Sequence, residues 1–325
     1  MSRLDRHARV SAALAAASSD ALNALVGATS TVGVGGGSTT VEVAGARVFA
    51  KRVPLTDLEL AHPHSTANLF DLPMTCNYGI GSPGFTAWRE LAANTLVTES
   101  VLAGEAESFP LLHHWRILPG RAPIAPEYAD VTAAAAVFGG SPSVRARLEA
   151  LAAATHSLVL FTEHIPTPMA DWLADSPAAK AESVERQLME TTAFLRDRDL
   201  LHLDAHFANM RVAADRIYLT DWGLALSPHF DLTPAEHAFF QANTNHDTDY
   251  ASMRLVNWLV TSTCALPPTD IPTRNAYVEQ CANGHIPPDV PAHVAAIVTR
   301  HAPAAARMNA LYWNLFNGDF PAAVR

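Results

Sequence analysis

Lysine is nearly missing from this 325-residue chain: of 22 basic residues, 20 are Arg and only Lys51 and Lys180 are Lys. Where a surface needs only positive charge, the chain uses Arg. A Lys near the end of an apolar strand therefore invites a chemical explanation, because a compact ammonium acts as a point charge in a way a planar guanidinium cannot. Basic charge is also outnumbered, 22 against 32 acidic residues for a net −10. That balance argues against a nucleic-acid partner and against docking on an anionic membrane surface. Cysteine is scarce too. Cys76, Cys264 and Cys281 are odd in number and lack metal-type spacing, which reads as reduced thiols rather than a disulfide framework. No apolar run approaches the roughly 18 residues of a membrane span. Val10 to Ala17 follows Arg3, Arg6 and Arg9, but Ser18, Ser19 and Asp20 interrupt it, so it reads as an amphipathic helix rather than a leader. The expectation is a soluble, cytoplasmic protein.

The composition that remains, 49% apolar with 17% charged, is that of a globular chain long enough for two domains. Residues 4–26 read as a helix, followed by the Gly-rich stretch Gly33-Val34-Gly35-Gly36-Gly37. Thr39 to Val43 and Ala46 to Val53 read as strands joined by an Ala44-Gly45 turn, with Lys51 on the second. Residues 54–84 are loop-like, Phe85 to Ala103 helical, Leu111 to Leu118 a strand and 119–142 irregular. A helix over Ser143 to Ala154 and a short buried strand over Leu158 to Phe161 follow. Beyond Pro168 the pattern is helical, including Val184 to Arg198, broken by short strands at Met210 to Val212 and Ile217 to Leu219. Strands early and helices late predict an α+β chain in two parts, 1–162 and 163–325.

Chemistry concentrates in His202-Leu203-Asp204-Ala205-His206-Phe207-Ala208-Asn209 and, twelve residues on, Asp221-Trp222-Gly223. Asp204 is a carboxylate able to accept a hydroxyl proton, five residues from the neutral amide oxygen of Asn209. Asp221 adds a second carboxylate across a predicted hairpin. Such a set converges hard oxygen ligands on Mg²⁺ and leaves one carboxylate to orient a nucleophile. His202 and His206 are four apart but lack the H-E-x-x-H pattern of a zinc pair. His62-Pro63-His64 and His113-His114 read as ordinary surface or packing residues.

The two motifs resemble the H-x-D-x-x-x-x-N catalytic loop and D-[FW]-G metal motif of the protein-kinase-like superfamily, most closely its aminoglycoside/choline kinase-like phosphotransferases. The resemblance implies a bilobal fold with a small β-rich N-lobe and a larger helical C-lobe. It implies ATP and Mg²⁺, with Asp204 as catalytic base and Asn209 and Asp221 on the metal. Val48-Phe49-Ala50-Lys51 matches the strand whose Lys contacts the α- and β-phosphates, with Glu90 as its helix partner and Glu99 as the other candidate. Gly33, Gly35, Gly36 and Gly37 would cover the phosphates. Phe161 and Glu163, in the segment running into His164, would flank adenine at the hinge through backbone groups.

Several departures bear on the acceptor. Leu203 stands where many protein kinases carry a phosphate-sensing Arg, His206 replaces their catalytic-loop Lys, and no A-P-E segment follows Gly223. The inserts at 54–84 and 119–156 are unusual, and Tyr78 to Gly84 is expected to approach the active site. The resemblance thus implies transfer of the γ-phosphoryl group to a hydroxyl of a small molecule, with a cationic acceptor mildly favoured by the acidic balance. An atypical Ser/Thr protein kinase and an ATP-binding pseudokinase are the other readings.

Overall fold

The computed structural model describes residues 2–27, 31–33, 35–264, 266–267, 269–286 and 288–319. Among them the chain is α+β. Five strands, β1 (Thr31–Gly33), β2 (Gly36–Val43), β3 (Ala46–Leu55), β4 (Leu112–Pro119) and β5 (His156–Glu163), form an antiparallel sheet in the order β1-β2-β3-β5-β4. A second small sheet joins β6 (Thr167–Pro168), β7 (Met210–Ala213) and β8 (Arg216–Leu219). Helices α1 (Arg3–Ala16) and α2 (Ser19–Leu25) precede the sheet, and α3 (Asp57–Ala61), α4 (Ala87–Leu102), α5 (Val131–Ala136) and α6 (Pro142–Ala153) are threaded between its strands. Helices α7 (Met169–Leu173), α8 (Pro177–Asp197), α9 (Pro234–Ala242), α10 (His246–Thr263), α11 (Ile271–Ala282) and α12 (Ala292–Phe316) follow. No helix among the described residues is long and apolar enough to cross a membrane.

The period of two along the central strands decides what faces where. On β3, Ala46, Val48 and Ala50 pack with Val10, Leu14 and Leu22 of the first two helices. Val53 and Leu55 pack on the other side, with Trp88 and Leu91 of α4. Lys51 shares their parity and so faces α4. On β5 the same alternation sends Leu158 and Leu160 toward α4 and Val159 and Phe161 toward α1 and α2. Helix α4 is shared between cores, because Ala93, Val97 and Val101 join the large cluster of the helical part. That cluster draws on both sides of the 162/163 division: Leu72, Tyr78 and Phe138 pack in the same core as Leu200, Val256 and Tyr312.

Several elements differ from the sequence reading, four of them for a clear local reason. Residues 4–26 form two helices, since Ser18 is extended and its side chain accepts from Ala21 N–H, starting α2. Strand β2 begins at Gly36 rather than Thr39, because Gly33 pairs with Gly36 in a hairpin too tight to leave a long loop. The loop-like 54–84 contains α3, fixed by a capping box in which Thr56 and Glu59 bond each other's backbone N–H. In the irregular 119–142 stretch, Asp130 accepts from Thr132 and Ala133 N–H and starts α5. The Ala44-Gly45 turn is as expected, with both φ values positive, and it joins β2 to β3.

Candidate functional site

Three separated segments meet at one ammonium. Lys51 Nζ on β3 lies 2.7 Å from Glu90 Oε1 on α4 and 2.8 Å from Asp221 Oδ1 after β8. Glu90 is buried and Glu99 exposed on the same helix, so Glu90 is the partner. Burial works against the Lys51 charge, but Asp221 and Glu90 outweigh it and raise its pKa. Burial pushes the Glu90 carboxyl up to about 7, with Lys51 pulling the other way. Asp221 is pushed up by burial as well, yet the Lys51 charge and hydrogen bond hold it below the usual carboxylate value. Above about pH 7, where Glu90 is ionised, one ammonium between two carboxylates leaves net negative charge, a setting that favours a further cation.

The glycine hairpin closes over this group. A Cβ at Gly35 would sit 2.9 Å from Lys51 Nζ and 3.6 Å from Asp221 Oδ2. Gly36, with φ of +114°, would place a Cβ 2.3 Å from the Arg52 carbonyl, so the strand crossing itself demands glycine there. Gly33, Gly35, Gly36 and Gly37 all line the cleft, whereas Val34 lies outside the described residues.

The loop carrying Asp204 is held from below. The Asp247 carboxylate at the start of α10 accepts the N–H groups of His202 (2.6 Å) and Leu203 (2.9 Å). The His202 ring bonds the Thr220 carbonyl at 2.9 Å and packs on Trp222, coupling this loop to the Asp221 turn. Thr220 in turn donates both its N–H and its hydroxyl to the Asn209 carbonyl. Leu203 and Asp221 both have left-handed backbones, with φ of 63° and 65°. Such conformations cost of order 1–3 kcal/mol each and persist only where surroundings impose them. Asn209 Nδ2 donates to the Asp204 carbonyl and to Asp204 Oδ2 (3.1 Å), which leaves the Asn209 side-chain oxygen free of that bond. The other Asp204 oxygen, Oδ1, is buried without a hydrogen-bond partner. Burial, then the Asp221 charge, push the Asp204 carboxyl up to about 7.

Both inserts form walls of the cleft, a space of about 730 Å³. Gly79 lies directly against Asp204 and Gly84 near the Gly223 carbonyl, and Tyr128 in the second insert pins the stretch between them by donating its hydroxyl to the Ser82 carbonyl at 2.8 Å. Arg147 on α6 forms a buried pair with Glu59 on α3 at 2.8 Å and donates to the Gly84 carbonyl. Glu59 also accepts Ala87 N–H at the start of α4. The two inserts and the helix bearing Glu90 are therefore one hydrogen-bonded unit.

The hinge residues need correction. Phe161 is fully buried on the α1 and α2 face, and its strand neighbours Leu160 and Thr162 line the cleft instead. Glu163 does line the cleft, but its N–H donates to the Leu111 carbonyl at 2.8 Å and its carboxylate binds Arg3 at 2.7 Å. Neither that N–H nor that carboxylate is left for a base. The register of β5 between β3 and β4 is the reason, since a central strand spends its backbone groups on both neighbours.

The structure thus brings together Gly35, Lys51, Glu90, Asp204, Asn209 and Asp221, and leaves Phe161 apart. Asp247 and Thr220 escaped the sequence reading. A lone Asp among the mixed residues opening α10 carries no spacing signal, and the role of Thr220 is expressed through backbone geometry. Asp221 and the Asn209 amide oxygen are two hard donors of the number Mg²⁺ takes from protein when phosphates supply the rest. No cluster of three or more His, Cys, Asp or Glu capable of holding a metal without a substrate occurs among the described residues. No protein-family model and no curated protein matches the chain.

Proposed function

We propose that this chain is an ATP-dependent phosphotransferase of bilobal, kinase-like fold, transferring the γ-phosphoryl group to a hydroxyl of a small molecule. The observation that carries the reading is the meeting of Lys51 with Glu90 and Asp221, roofed by a glycine hairpin and faced by Asp204. Lys51 would place its charge on the α- and β-phosphates, held there by Glu90. The N–H groups of the hairpin would follow the phosphate chain. Asp221 and Asn209 would hold Mg²⁺, which when bound neutralises charge developing on the phosphate oxygens.

Asp204 orients the acceptor hydroxyl and takes its proton as the acceptor O–Pγ bond forms. The bond between Pγ and the β–γ bridging oxygen breaks, ADP leaves, and the proton passes to solvent. Positioned general bases contribute about 10²–10⁴ in rate. Asn209 holds the Asp204 side chain from one side and Gly79 packs on it from the other, which limits the angle at which a hydroxyl reaches it. The pinned insert over Asp204 favours a small acceptor, since a folded polypeptide has little room to lay a segment there.

The test is transfer of γ-phosphoryl label from ATP in the presence of Mg²⁺ to a panel of hydroxylated metabolites and antibiotics. Label in low-molecular-weight product, lost in Lys51→Met and Asp204→Asn, is the expected result. Label only in protein would favour the protein kinase reading. ATP binding without any turnover would favour the pseudokinase.

A further inference from the structure

Arg254 on α10 and Arg274 on α11 are two half-buried guanidiniums with no carboxylate within ion-pair distance among the described residues. Arg254 lies over the Phe207 ring, its Cζ 5.4 Å from the centroid. Its Nε is buried with no hydrogen-bond partner, and so is the Nε of Arg274. Arg274 has a single side-chain bond, from a terminal nitrogen to Asn275 Oδ1 at 3.0 Å. The acids of α10 and of the α11 cap are engaged elsewhere. Asp247 holds the His202 and Leu203 N–H groups, Asp249 pairs with Arg307 at 3.3 Å, and Asp270 caps α11 through Thr273 N–H. After burial, the charge of Arg254 is what depresses the Arg274 pKa, so the two cations repel across the gap between the helices.

Their location is informative. Arg254 lies two turns beyond Asp247 on the same face of α10, and Asp247 grips the loop of Asp204. Phe207, under Arg254, is three residues from Asp204 and two from Asn209. The Arg254 charge acts on Asp204 and on His206. A half-buried guanidinium without an anion costs free energy, and a second cation close by adds to that cost.

We propose that Arg254 and Arg274 form the recognition site for an anionic group, a carboxylate or phosphate ester, borne by the acceptor beside its reacting hydroxyl. The word acceptor rests on the phosphotransferase reading; the anion site does not. Planar guanidiniums suit such groups because each can present two parallel N–H donors. The net −10 of the whole chain favours a cationic acceptor only as an average, whereas a substrate meets the local charge. Hydroxy acids and sugar phosphates are then accepted in preference to amino alcohols.

Binding of inorganic phosphate to the intact protein tests the site by calorimetry and thermal shift. Lys51→Met serves as the control for phosphate entering the nucleotide cleft. Wild type and Lys51→Met should bind phosphate alike, Arg254→Gln and Arg274→Gln at least tenfold more weakly, and Arg254→Lys in between. Without phosphate, Arg254→Gln should melt no lower than wild type, because it relieves repulsion. A lower melting temperature there would mark a structural role and overturn the proposal. So would undiminished phosphate binding by Arg254→Gln, or loss of binding in Lys51→Met alone. Amino alcohols outcompeting hydroxy acids as acceptors would overturn the acceptor assignment. Failure of wild type to bind ATP would instead overturn the phosphotransferase reading, with the phosphate titration still deciding the anion site.

Discussion

Gly79 lies flat against the carboxylate of Asp204: a Cβ built on it would stand 2.0 Å from Oδ1 and 2.8 Å from Cγ. The contact spans 125 residues of sequence and joins an insert to the candidate base. It is also why Oδ1 is buried with no partner.

Gly79→Ala should therefore displace Asp204 while leaving the fold intact. A misplacement of about 1 Å in a reacting group can cost about 10² in rate. Turnover in the labelled-ATP assay should fall by about that factor, with nucleotide affinity and melting temperature near wild type. Wild-type turnover would mean that the insert is not the roof of the reacting centre.

Asp204→Asn should reduce turnover by about 10²–10⁴, the contribution of a positioned base, and leave ATP affinity within a few-fold. Titration of ATP into the variant, beside single-turnover rates, separates the two effects.

The raised Asp204 pKa, about 7, sets the pH profile. As the proposed base, Asp204 must be ionised, so turnover should rise through that region and level off above it. Stability should move oppositely. A carboxyl raised in the fold contributes stability below its unfolded value and loses it as pH climbs through the folded one. Asp204 and Glu90 both do this. Between about pH 4 and 7 the melting temperature should decline less in Asp204→Asn than in wild type.

The motifs around Asp204 and Asp221 were legible because their spacing is imposed by local chain geometry, a tight loop followed by a hairpin. Lys51 stood out through the scarcity of its own residue type, and the strand carrying it through alternation. Phe161 was expected to meet adenine through its backbone, but that backbone is shared between β3 and β4 and its side chain lies on the α1 and α2 face. A period of two gives no indication of which parity faces the cleft until α1 and α2 are seen to cover the other side. The insert over Asp204 was expected to approach the site, but its anchors, Glu59 with Arg147 and Tyr128 with Ser82, join residues far apart in sequence. Such long-range pairs leave no periodic trace.

Asp247→Ala should uncouple the loop rather than the chemistry. Two buried N–H groups, of His202 and Leu203, would lose their acceptor, at about 1–3 kcal/mol each. Denaturant unfolding should show a loss of that order, and hydrogen exchange at 202–204 should accelerate. Unchanged protection would mean that another group holds the loop.

Asp221→Ala should abolish the Mg²⁺ dependence of ATP binding. Calorimetric titrations with and without Mg²⁺ should differ in wild type and coincide in the variant. A Mg²⁺ effect that survives would remove Asp221 from the metal site.

The first two helices have their apolar face, Val10, Leu14, Leu22 and Val26, covered by residues 41 to 161, and Arg3 ties to Glu163 across 160 positions. During synthesis at about 5–20 residues per second, roughly 8–30 s pass before those partners have all been made. For that interval part of the apolar face of the first two helices lacks its cover. A pause in translation just before β5 would prolong its exposure, while a slow codon after it would give time for docking.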